Sequence, residues 1–94
     1  MSEKRVDRRT VWKYKITVQK NLRMLMPRDA KILSVGKDKG ELVLWAEVKA
    51  HYKETEVRYF QLVGTGRAVP PAAEYVGTLI DGPHSVWHVY ETLG

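Results

Sequence analysis

Apolar and polar residues alternate along most of the chain. Trp12, Tyr14, Ile16 and Val18 alternate with Lys13, Lys15 and Thr17, the period of two that marks a half-buried strand. Leu22, Met24 and Met26 repeat the pattern around Arg23, and Pro27 closes it. The intervening Gln19-Lys20-Asn21 reads as a turn, which predicts that this strand pairs back on the first. Residues 30–35 are apolar at most positions and predict a third strand, buried on both faces. Residues 36–40, Gly-Lys-Asp-Lys-Gly, form the clearest hairpin loop, because Asp and Gly supply turn conformations. Leu42, Leu44, Ala46 and Val48 then suit a core. Val43 and Trp45 make the opposite face of that strand partly apolar, so a second surface is expected to be covered.

Residues 56–63 are rich in aromatic and β-branched residues and predict a strand that runs straight into Gly64. Residues 72–74 are expected to form a brief helical turn or a loop. Residues 75–80 predict a further strand, in which Gly77 marks a bulge or a close approach by another backbone. Asp81-Gly82-Pro83 is a turn, and residues 86–90 form the last strand. No long segment has helical period. The reading is an all-β domain, a small antiparallel sandwich or partly open barrel of about six or seven strands.

The longest stretch that cannot be strand is Gly64-Thr65-Gly66-Arg67-Ala68-Val69-Pro70-Pro71. Gly64 and Gly66 permit a backbone that other residues resist. The Thr65 hydroxyl and the N–H groups of such a turn suit an anion nest, and Arg67 adds a planar fork for phosphate or carboxylate. The alternative is a tight corner between two sheets, with glycine needed only for geometry. Gly-x-Gly without a following helix does not decide between them.

Composition narrows the partners. The chain has 94 residues, a formal charge of +5 and no cysteine. One domain is expected, with no disulfide framework and no thiolate metal site. Residues 1–9 are read as a charged, flexible tail and residues 10–94 as the β domain. The N-terminus lacks the apolar core of a signal peptide, and no run is long and apolar enough to span a bilayer. Basic charge favours anionic partners, namely nucleotides, nucleic acid or an acidic protein.

Candidate chemistry is sparse. His84 and His88 are four apart, a zinc spacing on a helix, but on a strand they would lie about 13 Å apart. No metal site and no cofactor is expected. Histidine could serve phosphodiester cleavage, yet nothing fixes a second group, so no catalytic residue is assigned and an enzyme is not expected. Nine aromatic rings, three Trp, five Tyr (Tyr52 among them) and one Phe, exceed what so small a domain buries easily. Some are expected to stack bases or to lie between subunits, with Tyr59 beside Arg58 and Trp12 beside Lys13 as local examples.

Several blocks in order carry a resemblance: Met26-Pro27, Ala30-Lys31-Ile32-Leu33-Ser34-Val35, Leu44-Trp45-Ala46, Gly64-Thr65-Gly66 with Pro70, Tyr75-Val76-Gly77-Thr78 and Trp87-His88-Val89-Tyr90-Glu91. From about Val11 to Glu91 the chain resembles a family of small uncharacterised proteins from tailed phages and prophages. That resemblance transfers no catalytic residues. It implies a binding protein in the cytoplasm of an infected bacterial host.

The expectation that follows is a non-enzymatic, homo-oligomeric sponge that sequesters an anionic nucleotide signal of host antiviral defence. Gly64, Thr65, Gly66 and Arg67 would hold phosphate, and Tyr59 or Tyr75 would stack a base. The alternatives are a nucleic-acid-binding module using Lys13, Lys15, Arg8 and Arg9, and an inhibitor of a host protein.

Overall fold

The structure is a computed structural model that describes residues 8–51 and 53–94. Among the described residues seven strands form, all paired antiparallel: β1 (Arg9–Lys15), β2 (Asn21–Pro27), β3 (Lys31–Asp38), β4 (Glu41–Lys49), β5 (Thr55–Gly64), β6 (Glu74–Ile80) and β7 (Val86–Thr92). They make a three-stranded sheet of order β1-β4-β3 and a four-stranded sheet of order β2-β5-β7-β6. The two sheets are separate hydrogen-bonded units, so the domain is a sandwich and not a closed barrel. Arg9 already belongs to β1, one residue earlier than the tail boundary; residues 1–7 and Tyr52 lie outside the described residues. Among the described residues no helix is long and apolar enough to cross a membrane, which says nothing of membrane barrels.

The alternating pattern fills the space between the sheets. Leu22, Met24 and Met26 from β2, Leu42, Leu44, Ala46 and Val48 from β4, Phe60 and Leu62 from β5, Leu79 from β6 and Val89 from β7 form one core. Two expectations are corrected here. β2 pairs with β5 and not with β1, because residues 16–20 carry the chain from one sheet to the other. β3 is an edge strand with Leu33 and Ser34 exposed, so it is not buried on both faces; a bulge between Ile32 and Ser34 puts Leu33 outside the pairing. The β3–β4 hairpin turns on Lys39 and Gly40 alone, at φ 51° and 83°; Gly36, Lys37 and Asp38, expected in the loop, belong to β3. Two successive residues with positive φ make the turn whose twist matches paired strands.

Gly77 marks the expected bulge, and the group that approaches it closely is a side chain, not another backbone. The register shifts between Tyr75 and Gly77, and a Cβ at Gly77 would lie 2.8 Å from Val35 Cγ2. Here β6 packs beside β3 and closes one side of the sandwich. Residues 71–73 form a turn without helix, with Ala72 at φ 57°.

Val43 is 1% exposed although it faces away from the core. Lys13 on β1 reaches Asp38 on β3 at 2.7 Å, so its stem must cross β4, the strand between them. Lys15 stands opposite Val43 and pairs with Glu41. Trp45 lies over Gly36, where a Cβ would meet its ring at 2.9 Å. Val43 therefore needs no second subunit to cover it, and the argument for an oligomer from this face falls away. Exposed apolar surface remains at Val11 and Trp12 on the β1 edge.

Tyr14 packs against the core, and its hydroxyl is buried without a hydrogen bond among the described residues. Burial raises its pKa above the usual 10.0. A group with a raised folded pKa stabilises fully below its unfolded pKa, and that contribution is lost as pH rises through the folded value. We expect Tyr14→Phe to stabilise by about 1 kcal/mol at neutral pH, the order of an unmade buried hydrogen bond. It should also lessen the loss of stability above pH 10.0. Urea denaturation at pH 7 and pH 11 checks both; destabilisation at pH 7 would mean that the hydroxyl has a partner.

Candidate anion-binding groove

Residues 64–67 form a β-turn. Arg67 N–H donates to Gly64 O at 3.0 Å, and Gly66 at the third position has φ 89°, which only glycine takes cheaply. This turn ends β5 and begins the connection to β6. Because β5 and β6 each pair antiparallel with β7, they run in the same direction. Residues 65–73 must therefore return along the length of the sheet. The inner face is filled by the core, and the connection starts on the outer side, where Thr65 reaches His88 opposite Val63; Pro70-Pro71 suits an extended path.

The nest expected at this turn is largely engaged. The Arg67 N–H closes the turn, and Thr65 Oγ1 lies 2.9 Å from His88 Nε2. His88 Nδ1 in turn lies 3.0 Å from Thr78 Oγ1, which lies 2.6 Å from the Tyr75 hydroxyl. This chain of side chains ties the turn to β7 and β6. It also places Tyr75, whose ring meets Tyr90 edge-on at 5.5 Å, two strands away from β5.

Gly64 and Arg67 instead face a groove at the end of the sheet, of about 670 Å³. Beyond Asn21 the β2 partner turns away from β5, and the last bond there is Leu62 N–H to Lys20 O at 3.2 Å. The groove opens between this departing segment and the returning connection. Lys20, Gln61, Arg67, Ala68 and Trp87 contribute to its lining, and among the described residues no acidic side chain does. Gly64 has no side chain where Arg67 and Trp87 converge: a Cβ would sit 3.6 Å from Arg67 Cγ and 3.9 Å from the Trp87 ring. Neither Lys20 nor Arg67 has an ion-pair partner among the described residues.

Other cations are engaged. Lys13 pairs with Asp38, Lys15 with Glu41 and Arg9 with Glu47, and the Asp38 hydrogen bond raises the Lys13 pKa above 10.5. Of the set expected to bind nucleic acid, only Arg8 lacks an acidic partner among the described residues. Arg58 is turned inward, since it stands opposite Met24 in the register. Its Nε and Nη2 donate to the two Glu91 carboxylate oxygens, and Nη1 donates to Ala30 O at 2.7 Å. Tyr59 is its neighbour in sequence and points to the other face, so the two do not form one stacking platform. The same alternation separates Trp12 from Lys13.

Tyr59 lies on the outer face, five residues before Gly64 and so about 17 Å away along β5. The six residues expected to bind one ligand thus divide: Gly64 and Arg67 at the groove, Gly66 as the turn hinge, Thr65 in the His88 chain, and Tyr75 and Tyr59 further off. Lys20, Gln61 and Trp87 were missed, because distant segments bring them together. His51 and His84 sit in separate loops. Among the described residues no group of three His, Cys, Asp or Glu could hold a metal ion.

No curated protein and no solved structure matches the chain. A family model described as Domain of unknown function (DUF7352) matches residues 7–93, which spans every strand and the groove. The chain belongs to the DUF7352 family.

Proposed function

We propose that the domain binds a small anionic nucleotide in the end groove and retains it without turning it over. The observation that carries this reading is the lining: Lys20 and Arg67 stand in one concave site with no acidic side chain among the described residues. Elsewhere, most basic side chains near the outer face of the three-stranded sheet are matched by carboxylates. An unmatched cation pair in a groove raises the local concentration of an anion, and the Trp87 ring supplies an apolar wall for a base. His88, the histidine nearest the turn, holds hydroxyls at both ring nitrogens, which suits a strut better than a general base. On the resemblance to small phage proteins, we propose that such a binder serves as a sink for a nucleotide signal of host antiviral defence.

The test is a thermal-shift screen of the purified protein with mononucleotides, cyclic di- and trinucleotides and ADP-ribose derivatives, followed by chromatography of the ligand. A ligand that binds only the folded state raises its apparent stability. The expected result is a shift with at least one nucleotide, recovered intact. Silence across the panel, or recovery of a cleaved product, would overturn the reading.

A further inference from the structure

The end groove does not stop at Gln61. A second hollow of about 340 Å³ adjoins it on the outer face of the four-stranded sheet, and Gln61 lines both. Asn21, Arg23, Tyr59, Thr92 and Gly94 contribute to this hollow, again with no acidic side chain among the described residues. The register explains the continuity. Arg23 stands opposite Tyr59, Tyr59 opposite Thr92, and Asn21 opposite Gln61, so these side chains share one face. Gln61 and Tyr59 are alternate residues of β5, about 6.6 Å apart along the strand. Arg23, like Lys20 and Arg67, has no ion-pair partner among the described residues. A track therefore runs along β5 from Arg67 and Lys20 to Arg23 and the Tyr59 ring, with positive charge at each end and, among the described residues, no negative side chain in its lining.

We infer that this track takes a second nucleotide of the same strand, so that the ligand class is a single-stranded di- or oligonucleotide. The inference rests on the nucleotide reading of the end groove. One phosphate lies between Lys20 and Arg67, the next near Arg23, and the second base stacks on Tyr59 in place of Gly94, where a Cβ would lie 3.4 Å from Tyr59 Cε2. Tyrosine suits this because a ring face accepts any base. Gln61, between the two hollows, offers both a donor and an acceptor to the bridging nucleotide.

The experiment is calorimetry with 5′-AMP and with the linear dinucleotide pApA. Wild type, Tyr59→Leu, Tyr59→Phe, Arg23→Ala and Arg67→Ala are compared. The wild type is expected to bind pApA about tenfold or more tightly than AMP, the scale of one base stacked on one ring. Tyr59→Leu and Arg23→Ala should lose that gain and keep the AMP affinity, and Tyr59→Phe should keep both. Equal affinity for AMP and pApA, with both lost in Arg67→Ala, would overturn the track and leave the end groove standing. A tenfold gain untouched by Tyr59→Leu and Arg23→Ala would also overturn it. Binding of neither probe would overturn the track and count against the nucleotide reading beneath it.

Discussion

Removing both groove cations, Lys20→Ala together with Arg67→Ala, is expected to abolish nucleotide binding while leaving the fold intact. A hydrogen bond to a charged group contributes about 1.5–3 kcal/mol, so Arg67→Ala alone is expected to weaken binding roughly 10- to 150-fold. The double variant should fall further, though by less than the product, because the two cations share one site. Neither substitution touches the core. Arg67 is exposed in the turn and Lys20 precedes β2, and the turn is held by Arg67 N–H and not by its side chain. The melting temperature without ligand should therefore stay close to that of the wild type. Calorimetry on the tightest ligand of the screen measures the first effect and differential scanning calorimetry the second. Unchanged affinity in the double variant would remove the groove from consideration.

Breaking the Arg58–Glu91 pair is expected to produce the largest loss of stability. Both side chains lie in register with the core, Arg58 opposite Met24 and Glu91 opposite Phe60. They are 18% and 19% exposed, which makes this a mostly buried pair with two parallel bonds. Arg58 also caps Ala30 O, the carbonyl just before β3. The Glu91 hydrogen bond raises the Arg58 pKa above its already high ordinary value. Its proton therefore stays bound at every working pH, and its contribution would be lost only in stronger alkali. Arg58→Met leaves Glu91 partly buried without its partner. Losses of about 3–5 kcal/mol are usual for fully buried pairs; allowing for the residual exposure, about 2–4 kcal/mol is expected. Replacing both, Arg58→Met with Glu91→Leu, should recover most of it, because an apolar pair leaves no orphan charge. Denaturant midpoints measure all three. A loss below about 0.5 kcal/mol in Arg58→Met would class the pair with exposed salt bridges.

That pair was legible in the sequence and was passed over. In Glu56-Val57-Arg58-Tyr59-Phe60-Gln61-Leu62, the period that sends Phe60 and Leu62 inward also sends Arg58 inward. A cation on a core face needs an acid, and Glu91 stands in phase with Val89 and Trp87. Local signals of this kind read well: a turn within residues 36–40, although it occupies only Lys39 and Gly40, Gly77 as a bulge, and the alternating core positions of β2 and β4. What did not read was pairing between distant segments. Nothing local in Leu22, Met24 and Met26 distinguishes β1 from β5 as their partner, and the place of β7 between β5 and β6 follows from neither strand alone. The groove depends on those pairings. Arg67 was visible as a candidate because its loop is distinctive, whereas Lys20 lay in an ordinary turn. It enters the site only because β2 pairs with β5 and leaves it at Asn21.

Amide chemical shifts of uniformly 15N-labelled protein titrated with AMP test the central claim most directly, because they locate the ligand on the fold. The account predicts saturable shifts at Lys20, Gly64 and Arg67 and at the Trp87 indole N–H, all with one dissociation constant. Shifts confined to Lys13 and Lys15 on the opposite sheet, or no shifts at all, would contradict it.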